Sequence, residues 1–318
     1  MVKKVLVVGG AGYIGGAVTD ALLQKGIPFT VYDNLLYEYL YLKPVDFIFG
    51  DIRDTEKLSK ILPQYTHVIW LAAIVGDPAC QIKPELTVAV NQEAVKWLSE
   101  NYTGRIIFLS TCSVYGQHNE VLGESAPTNP LSLYAQTKLA AESYLKDKNA
   151  LIFRLGTVFG ISDTFSRIRM DLAVNYMTAN ALKKGELSVF GGSQWRPFIH
   201  VKDVGDTVVH NLDRPVVGIY NLASFNVKIK ELGETISKIT GCKIKQVEQK
   251  FQDARDYRVN NEKAVKDGIF NPQSARLIKD GVKEITDLIQ DGRIRYTESD
   301  VYFNERHIAN LIKNNELK

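Results

Sequence analysis

Short apolar runs alternate with segments of helical spacing through the first half of the chain. Short, mainly apolar runs occupy residues 5–8, 29–32, 47–49, 68–71, 105–109 and 151–153. Helical spacing of apolar positions occupies residues 17–23, 55–62, 86–98 and 132–145. Strands that are apolar on both faces are typical of a parallel sheet covered by helices on both sides. The pattern therefore predicts an α/β fold with a doubly wound parallel sheet.

The rhythm changes after about Leu155. Helical patterns near residues 171–183 and 229–240 follow no regular strand partner, and residues 37–42 have the aromatic character of a packed or capping loop. We therefore predict a doubly wound domain at residues 1–156, with a return segment near 196–225. Residues 157–195 and 226–318 are predicted to form a smaller, irregular α/β lobe.

Composition narrows the class of protein. Hydrophobic residues make up 45% and charged residues 24%, values typical of a globular chain. A formal charge of +3 over 318 residues gives no reason to expect a nucleic-acid partner. No apolar run has the length of a membrane span or a secretion signal. Cys80, Cys112 and Cys242 are too few and too irregularly spaced for a disulfide framework or a metal pair, so we expect a cytoplasmic protein without a metal site.

Three glycines, Gly9, Gly12 and Gly15, lie between the first predicted strand and the first predicted helix. In this context the first glycine permits a tight turn, the second lets the backbone approach a pyrophosphate, and the third permits close packing of helix on strand. Tyr13 and Ile14 open the helix, whose N-terminal N–H groups attract phosphate. The motif predicts a dinucleotide site; a glycine-rich turn without a ligand is the alternative.

Asp33 ends the second predicted strand. A carboxylate at this place accepts hydrogen bonds from a ribose diol and repels a 2′-phosphate, which favours NAD over NADP. A turn-forming aspartate is the alternative interpretation. Asn34 follows directly, and Asp51 and Ile52, after the third strand, fall where an adenine would lie. We predict that these four residues contact NAD.

Tyr134 and Lys138 are four residues apart on a predicted helix and therefore share a face. A nearby cation, either Lys138 or the nicotinamide ring of a bound cofactor, favours the phenolate, so we expect a lowered phenol pKa and a role for Tyr134 as general base. Thr111 or Ser110, at the end of the fifth predicted strand, could donate a hydrogen bond to the reacting oxygen. An exposed helix face and a polar strand end are the structural alternatives.

The ordered set of motifs resembles the extended short-chain dehydrogenase/reductases, specifically the nucleotide-sugar epimerases and dehydratases. The matching segments are residues 9–15, 33–35, 50–51, 71–73, 90–91, 110–116, 134–138 and 196–203, with weaker similarity to about residue 290. The resemblance implies a Rossmann sheet, NAD as cofactor and a nucleotide-diphosphate sugar as substrate, bound by the smaller lobe. It also implies a homo-oligomer.

The resemblance also implies residue roles. Thr111 matches the family's catalytic Ser/Thr, Tyr134 its base and Lys138 its cofactor-binding lysine. Further cofactor contacts are implied for Leu71, Ala72, Ala73 and Asn91. Substrate contacts are implied for Thr111, Asn175, Val189, Arg196 and either Arg255 or Arg258, of which Asn175 and the arginines would hold the diphosphate. We interpret His200 as a structural residue.

Departures from the family pattern limit the reaction. Dehydratases carry Asp-Glu where this chain has Cys112-Ser113, which disfavours a 4,6-dehydratase and a decarboxylase. The family's usual His is Trp70, its Arg-Tyr-Phe-Asn segment is replaced from Arg154 onward, and residues 74–80 are unlike those of galactose epimerases. With these differences, the chain resembles a less familiar branch of the family, which acts on unusual deoxysugars or GDP-linked heptoses for bacterial surface polysaccharides.

Two NAD-dependent activities therefore stay open, a nucleotide-sugar 4-epimerase and a nucleotide-sugar 4-dehydrogenase. Both begin by oxidising a sugar hydroxyl, and the sequence contains no feature that separates them. A cofactor-binding sensor without catalysis is the alternative from another class. It is disfavoured because Tyr134 and Lys138 are both present.

Overall fold

The computed structural model describes residues 3–190, 192–247 and 255–317. The strands are β1 (Val5–Val8), β2 (Phe29–Asp33), β3 (Asp46–Phe49), β4 (His67–Trp70), β5 (Arg105–Thr111), β6 (Gln117–Leu122), β7 (Ala150–Leu155), β8 (Thr157–Phe159), β9 (Glu186–Phe190), β10 (Trp195–His200), β11 (Gly218–Leu222), β12 (Phe225–Lys228), β13 (Lys243–Val247) and β14 (Asp256–Val259). The helices are α1 (Tyr13–Gln24), α2 (Thr55–Ile61), α3 (Asp77–Ile82), α4 (Pro84–Val88), α5 (Ala94–Asn101), α6 (Leu133–Leu145), α7 (Ala173–Lys184), α8 (Val201–His210), α9 (Ile229–Thr240), α10 (Glu262–Lys266), α11 (Ile278–Gln290) and α12 (Asn304–Lys313).

A seven-stranded parallel sheet forms the centre of the molecule, in the order β11-β7-β5-β4-β1-β2-β3. Successive side chains of a strand point to opposite faces. Val5 and Val7 of β1 belong to one apolar core, and Leu6 and Val8 belong to the other, each completely buried. Because both faces are covered, every position of β1 must be apolar. The predicted doubly wound Rossmann fold is confirmed.

The return segment near 196–225 reaches this sheet, because β11 pairs with β7 and α8 packs against α1. A second core is formed by α7, α9 and α11 with β9, which pairs in parallel with β13. Smaller sheets join β10 to β8 and β12, and β6 to β14. These elements agree in place with the predicted lobe, whose boundaries stay a prediction. No helix of the described ranges is long and apolar enough to cross a bilayer.

The helix predicted at residues 86–98 is the main correction. The structure divides this region into the end of α4, a π-helical turn over Ala89–Glu93, and α5. The wider turn directs Asn91 inward, where its amide accepts from the Ile74 N–H and donates to the Ile74 carbonyl, each at 2.8 Å. Apolar spacing could not reveal this turn, because one polar side chain dictates it.

Candidate active site

A cleft opens at the carboxyl ends of β1 to β4. Ligands of open parallel sheets bind at this edge. The lining consists of residues 9, 11–15, 32–38, 50–52, 71–75, Val90, Arg167, Arg169 and Asn304. One cavity is therefore surrounded by the predicted cofactor residues of three regions: the glycine turn; Asp33, Asn34, Asp51 and Ile52; and Leu71, Ala72 and Ala73.

The glycine turn leaves a helix N-terminus open to the cleft. Gly9 has φ +82°, and a side chain there would overlap the backbone of Ala72. A Cβ on Gly15 would lie 2.5 Å from the Gly10 carbonyl oxygen. The N-cap of α1 is Gly12, which makes no side-chain capping bond, and the first turn of α1 contains no acidic residue. The first N–H groups of α1 are thus available to an anion.

Asp33 lies beside this turn and fixes its shape. Its carboxylate accepts the N–H of Ala11 at 3.0 Å and the N–H of Leu35 at 2.8 Å, and burial raises its pKa. The Asn34 amide donates to the Asp51 carboxylate at 3.2 Å. Each carboxylate oxygen keeps a lone pair for a further donor, so contact with a ribose diol is compatible with this geometry.

Tyr134 and Lys138 lie in the first turns of α6, which begins where the Ser132 hydroxyl accepts the Ala135 N–H at 3.3 Å. The Thr111 side chain at the end of β5 lies close enough to the Tyr134 phenol to lower the pKa of that phenol. The Lys138 ammonium is buried 4.2 Å from the centre of the Phe108 ring. The structure therefore brings the three predicted catalytic residues together.

The expected lowering of the Tyr134 pKa by Lys138 is wrong, whereas lowering by the nicotinamide ring of a bound cofactor stays a prediction. Burial raises the pKa of the phenol, the negative potentials of Cys80 and Asp77 add to this, and Arg169 and Thr111 oppose it. Burial also lowers the pKa of Lys138 to about 7. The protein's side chains thus hold the phenol protonated, and its deprotonation needs a further positive charge.

Ser110, the alternative to Thr111, points away from Tyr134. Its hydroxyl donates to Glu142, which pairs with Arg154 through an Nη2–Oε2 contact of 2.7 Å and an Nε–Oε1 contact of 3.0 Å. All three side chains are buried. Ser110 and Arg154 therefore support the end of β5, and Thr111 is the hydroxyl residue that lies near the phenol.

Part of the predicted substrate set clusters near the catalytic residues. The Arg255 guanidinium lies 3.1 Å from Asp77 Oδ2 and 3.4 Å from the Ser113 hydroxyl. Arg196 is buried 5.9 Å from the Tyr257 ring and donates to the Arg255 carbonyl. Two cations thus approach the loop that follows Thr111.

Other predicted contacts are placed differently. Asn175 is completely buried and its amide is used by the backbone: it accepts from the Gly160 N–H at 2.9 Å and donates to the Gly160 and Arg169 carbonyls. The Val189 side chain packs in the core of the lobe. The Arg258 guanidinium stacks 5.1 Å from the Trp195 ring and donates to the Asn119 carbonyl. In this geometry Asn175 and Val189 are structural.

Asn91 and His200 also have structural partners. The Asn91 side chain is hydrogen-bonded to the backbone of Ile74, which lines the cleft. Asn91 therefore supports the wall of the cleft but does not line it itself. The His200 Nε2 lies 3.0 Å from Glu284 Oε2, in agreement with its structural interpretation.

Among the cleft-lining residues that sequence reasoning missed, five bear on the site's charge and polarity: Tyr37, Glu38, Arg167, Arg169 and Asn304. They come from a loop after β2, from the segment before α7 and from the start of α12. No motif connects these distant segments. The sequence offered two signals for these residues. Arg167 and Arg169 are separated by a single residue, and residues 37–42 were predicted to form a packed or capping loop.

Several known proteins are similar to this chain in sequence and in fold. A UDP-glucose 4-epimerase from Streptomyces lividans is 28% identical over 277 residues, covering 78% of this chain and 84% of the relative. UDP-arabinose 4-epimerase 1 from Arabidopsis thaliana is 28% identical over 289 residues, covering 77% of this chain and 69% of the relative. The structure of UDP-glucuronic acid 4-epimerase from Bacillus cereus, in complex with UDP-glucuronic acid and NAD, has a TM-score of 0.76 and 26% identity, and covers 91% of this chain and 99% of that chain.

The model of the NAD dependent epimerase/dehydratase family matches residues 5–223, more than half of the chain. The predicted resemblance, the enzyme class and the cofactor are thereby confirmed. This chain belongs to the NAD dependent epimerase/dehydratase family, and NAD is its cofactor.

Proposed function

We propose that this chain is a nucleotide-sugar 4-epimerase, with UDP-sugars as the first substrates to test. The observation that carries the proposal is the placement of Tyr134 and the buried Lys138 one helical turn apart on α6, beside Thr111 at the end of β5. The curated relatives support the same reaction, because those from Streptomyces lividans and Arabidopsis thaliana are 4-epimerases of UDP-sugars.

The chain's groups suit proton transfer at the sugar C4 hydroxyl. When bound, NAD supplies the hydride acceptor and the positive charge that the protein's own side chains do not provide. Thr111 would hold the C4 oxygen in line with Tyr134, and Tyr134 would take its proton and later return it. Lys138 would hold the cofactor on this side of α6. Positioning of the reacting groups accounts for much of the rate enhancement.

A dehydratase needs a further acid near the sugar, and the two residues after Thr111 do not supply one. Cys112 is completely buried, donates to the Arg154 carbonyl at 3.1 Å, and burial raises the pKa of its thiol. Ser113 lies against Tyr257. These positions favour epimerisation over loss of water.

The test is product analysis by NMR and mass spectrometry after incubation with UDP-, GDP- and dTDP-sugars. A product of unchanged mass with C4 inverted supports the proposal. A product two hydrogens lighter, with NADH released, identifies a dehydrogenase, and a product lacking water identifies a dehydratase. Tyr134→Phe should abolish turnover, and Tyr176→Phe, an exposed tyrosine of α7, is the matched control. Full turnover by Tyr134→Phe would overturn the assignment of Tyr134 as the base, and no turnover by the wild-type protein would favour the sensor alternative.

Three wider statements belong to the same proposal. The product would serve surface polysaccharide synthesis, the chain would act in the cytoplasm, and it would form a homo-oligomer. The last is tested directly by light scattering of the purified protein, where a monomer mass at micromolar concentration would contradict it.

A further inference from the structure

The cofactor cleft contains a buried arginine, Arg167, that forms no ion pair with a carboxylate of the described residues. Arg169 pairs with Asp171 through an Nε–Oδ1 contact of 2.9 Å. Arg167, by contrast, donates to the Asn304 amide oxygen at 2.8 Å and the Val301 carbonyl at 2.6 Å, and no carboxylate of the described chain forms an ion pair with it. Burial and the charge of Arg169 lower the pKa of Arg167. A buried guanidinium in this position is costly unless an anion joins it.

Polar atoms around Arg167 are also incompletely satisfied. Arg167 Nε, the Tyr37 hydroxyl and Glu38 Oε1 are buried and have no hydrogen-bond partner within residues 3–190, 192–247 and 255–317. All three residues line the cofactor cleft. Buried polar atoms are normally paired, so a cluster of exceptions in one cavity indicates a ligand that completes the network. Burial raises the pKa of Glu38 to about 7, so this carboxyl offsets only part of the positive charge at neutral pH.

Both arginines lie near elements that are predicted to contact the dinucleotide. The Arg169 guanidinium is 5.9 Å from the ring of Tyr13, the first residue of α1, whose N-terminus attracts phosphate. The Arg167 guanidinium is 4.4 Å from the Tyr37 ring, in the loop that follows Asp33. The two charges therefore extend from the phosphate end of the glycine turn to the loop beside the predicted ribose site.

The C-terminal helix fixes this pair. The Asn304 N–H donates to Asp171 Oδ2 at 3.0 Å, and its amide donates to the Val75 carbonyl at 2.9 Å. One turn later, the His307 Nε2 donates to the Leu36 carbonyl at 3.0 Å. Helix α12 thus connects the arginine segment to two walls of the cleft.

We propose that Arg167 and Arg169 clamp the diphosphate of NAD from the lobe side of the cleft, and that Asn304 holds the clamp closed. Guanidinium groups suit this role because their paired N–H donors match phosphate oxygens. The clamp itself requires only NAD. An epimerase needs the reduced cofactor to stay bound until the hydride returns, so the use of the clamp in epimerisation rests on the proposed function.

The test is the dissociation constant of NAD for the full chain, measured by calorimetry, with UDP titrated separately. Arg167→Met and Arg169→Met should each weaken NAD binding about 10- to 100-fold, as expected for lost charge-assisted hydrogen bonds, and leave UDP binding unchanged. Arg169→Lys should fall between wild type and Arg169→Met. Arg306→Met is the matched control, since it removes the same charge from the exposed face of α12.

Unchanged NAD affinity in folded Arg169→Met protein would overturn the clamp. So would weakened UDP binding with normal NAD binding, since the arginines would then serve the sugar nucleotide. Circular dichroism establishes folding, and Arg169→Lys serves if Arg169→Met does not fold. Asn304→Ala should speed NADH release in stopped-flow fluorescence, and an unchanged release rate would contradict the role of α12. A clamp effect without any epimerase activity would reject the proposed reaction and retain the clamp.

Discussion

Removing the charge of Glu142 should destabilise the protein strongly, because it leaves Arg154 charged and unpaired inside the molecule. Glu142 is 2% exposed and Arg154 is 4% exposed. Although burial lowers the pKa of Arg154, its bonds to Glu142 raise it beyond the ordinary value, so the guanidinium stays charged at every accessible pH. Breaking a buried ion pair from one side costs about 3–5 kcal/mol. We expect Glu142→Gln to lower the free energy of unfolding by about 3 kcal/mol, since the amide keeps one hydrogen bond to Arg154.

Chemical denaturation followed by circular dichroism measures this change. The double variant Glu142→Leu with Arg154→Met should recover most of the loss, because replacing a buried pair by apolar side chains of similar volume is often neutral. Glu56→Gln is the matched control, as it breaks an exposed ion pair with Lys60 on α2 and should cost about 0.5 kcal/mol or less. A loss below about 1 kcal/mol for Glu142→Gln would refute the reasoning. So would a double variant as unstable as the sum of the single variants.

Three further predictions concern the site. The pKa of Lys138 falls to about 7 in the fold, so above that pH the folded protein binds fewer protons than the unfolded chain. The free energy of unfolding should therefore rise between about pH 7.5 and 9.5, by up to about 1.4 kcal/mol per pH unit. Lys138→Met should remove this rise in denaturation series at different pH, and an equal rise in both proteins would contradict the prediction. Gly15→Ala should abolish NAD binding in calorimetry, since its Cβ would lie 2.5 Å from the Gly10 carbonyl oxygen, and normal affinity would show that the turn can shift. Asn175→Ala should cost about 2 kcal/mol of unfolding free energy by removing the partner of the Gly160 N–H and of the Arg169 carbonyl, with KM unchanged. A raised KM at full stability would restore its predicted role on the diphosphate.

The sequence predicted those parts of the site that follow strands of the main sheet. The glycine turn, Asp33 and Thr111 all lie at strand ends, where the parallel topology brings them to one edge. Tyr134 and Lys138 were predictable because helical spacing fixes their relation. In each case local geometry determines where the side chain points.

Residues that meet only through tertiary packing were not predictable. Arg167 and Asn304 are 137 positions apart and touch because α12 folds back over the cleft. Asn175 was assigned by similarity of motif, yet backbone groups of the preceding loop occupy its amide. The phenol pKa of Tyr134 was predicted from one neighbouring cation, whereas the desolvation that dominates it depends on the whole surrounding fold.

The π-helical turn at Ala89–Glu93 sets a constraint on insertions and deletions in this region. Each residue of an α-helix advances the direction of its side chain by about 100°. Deleting one residue from the turn would restore regular winding, but it would rotate Asn91 relative to Leu98 by about that angle. The chain could then keep Leu98 in the core or Asn91 on Ile74, but not both. Homologous chains of different length here should therefore differ in the wall of the cleft as well as in the helix.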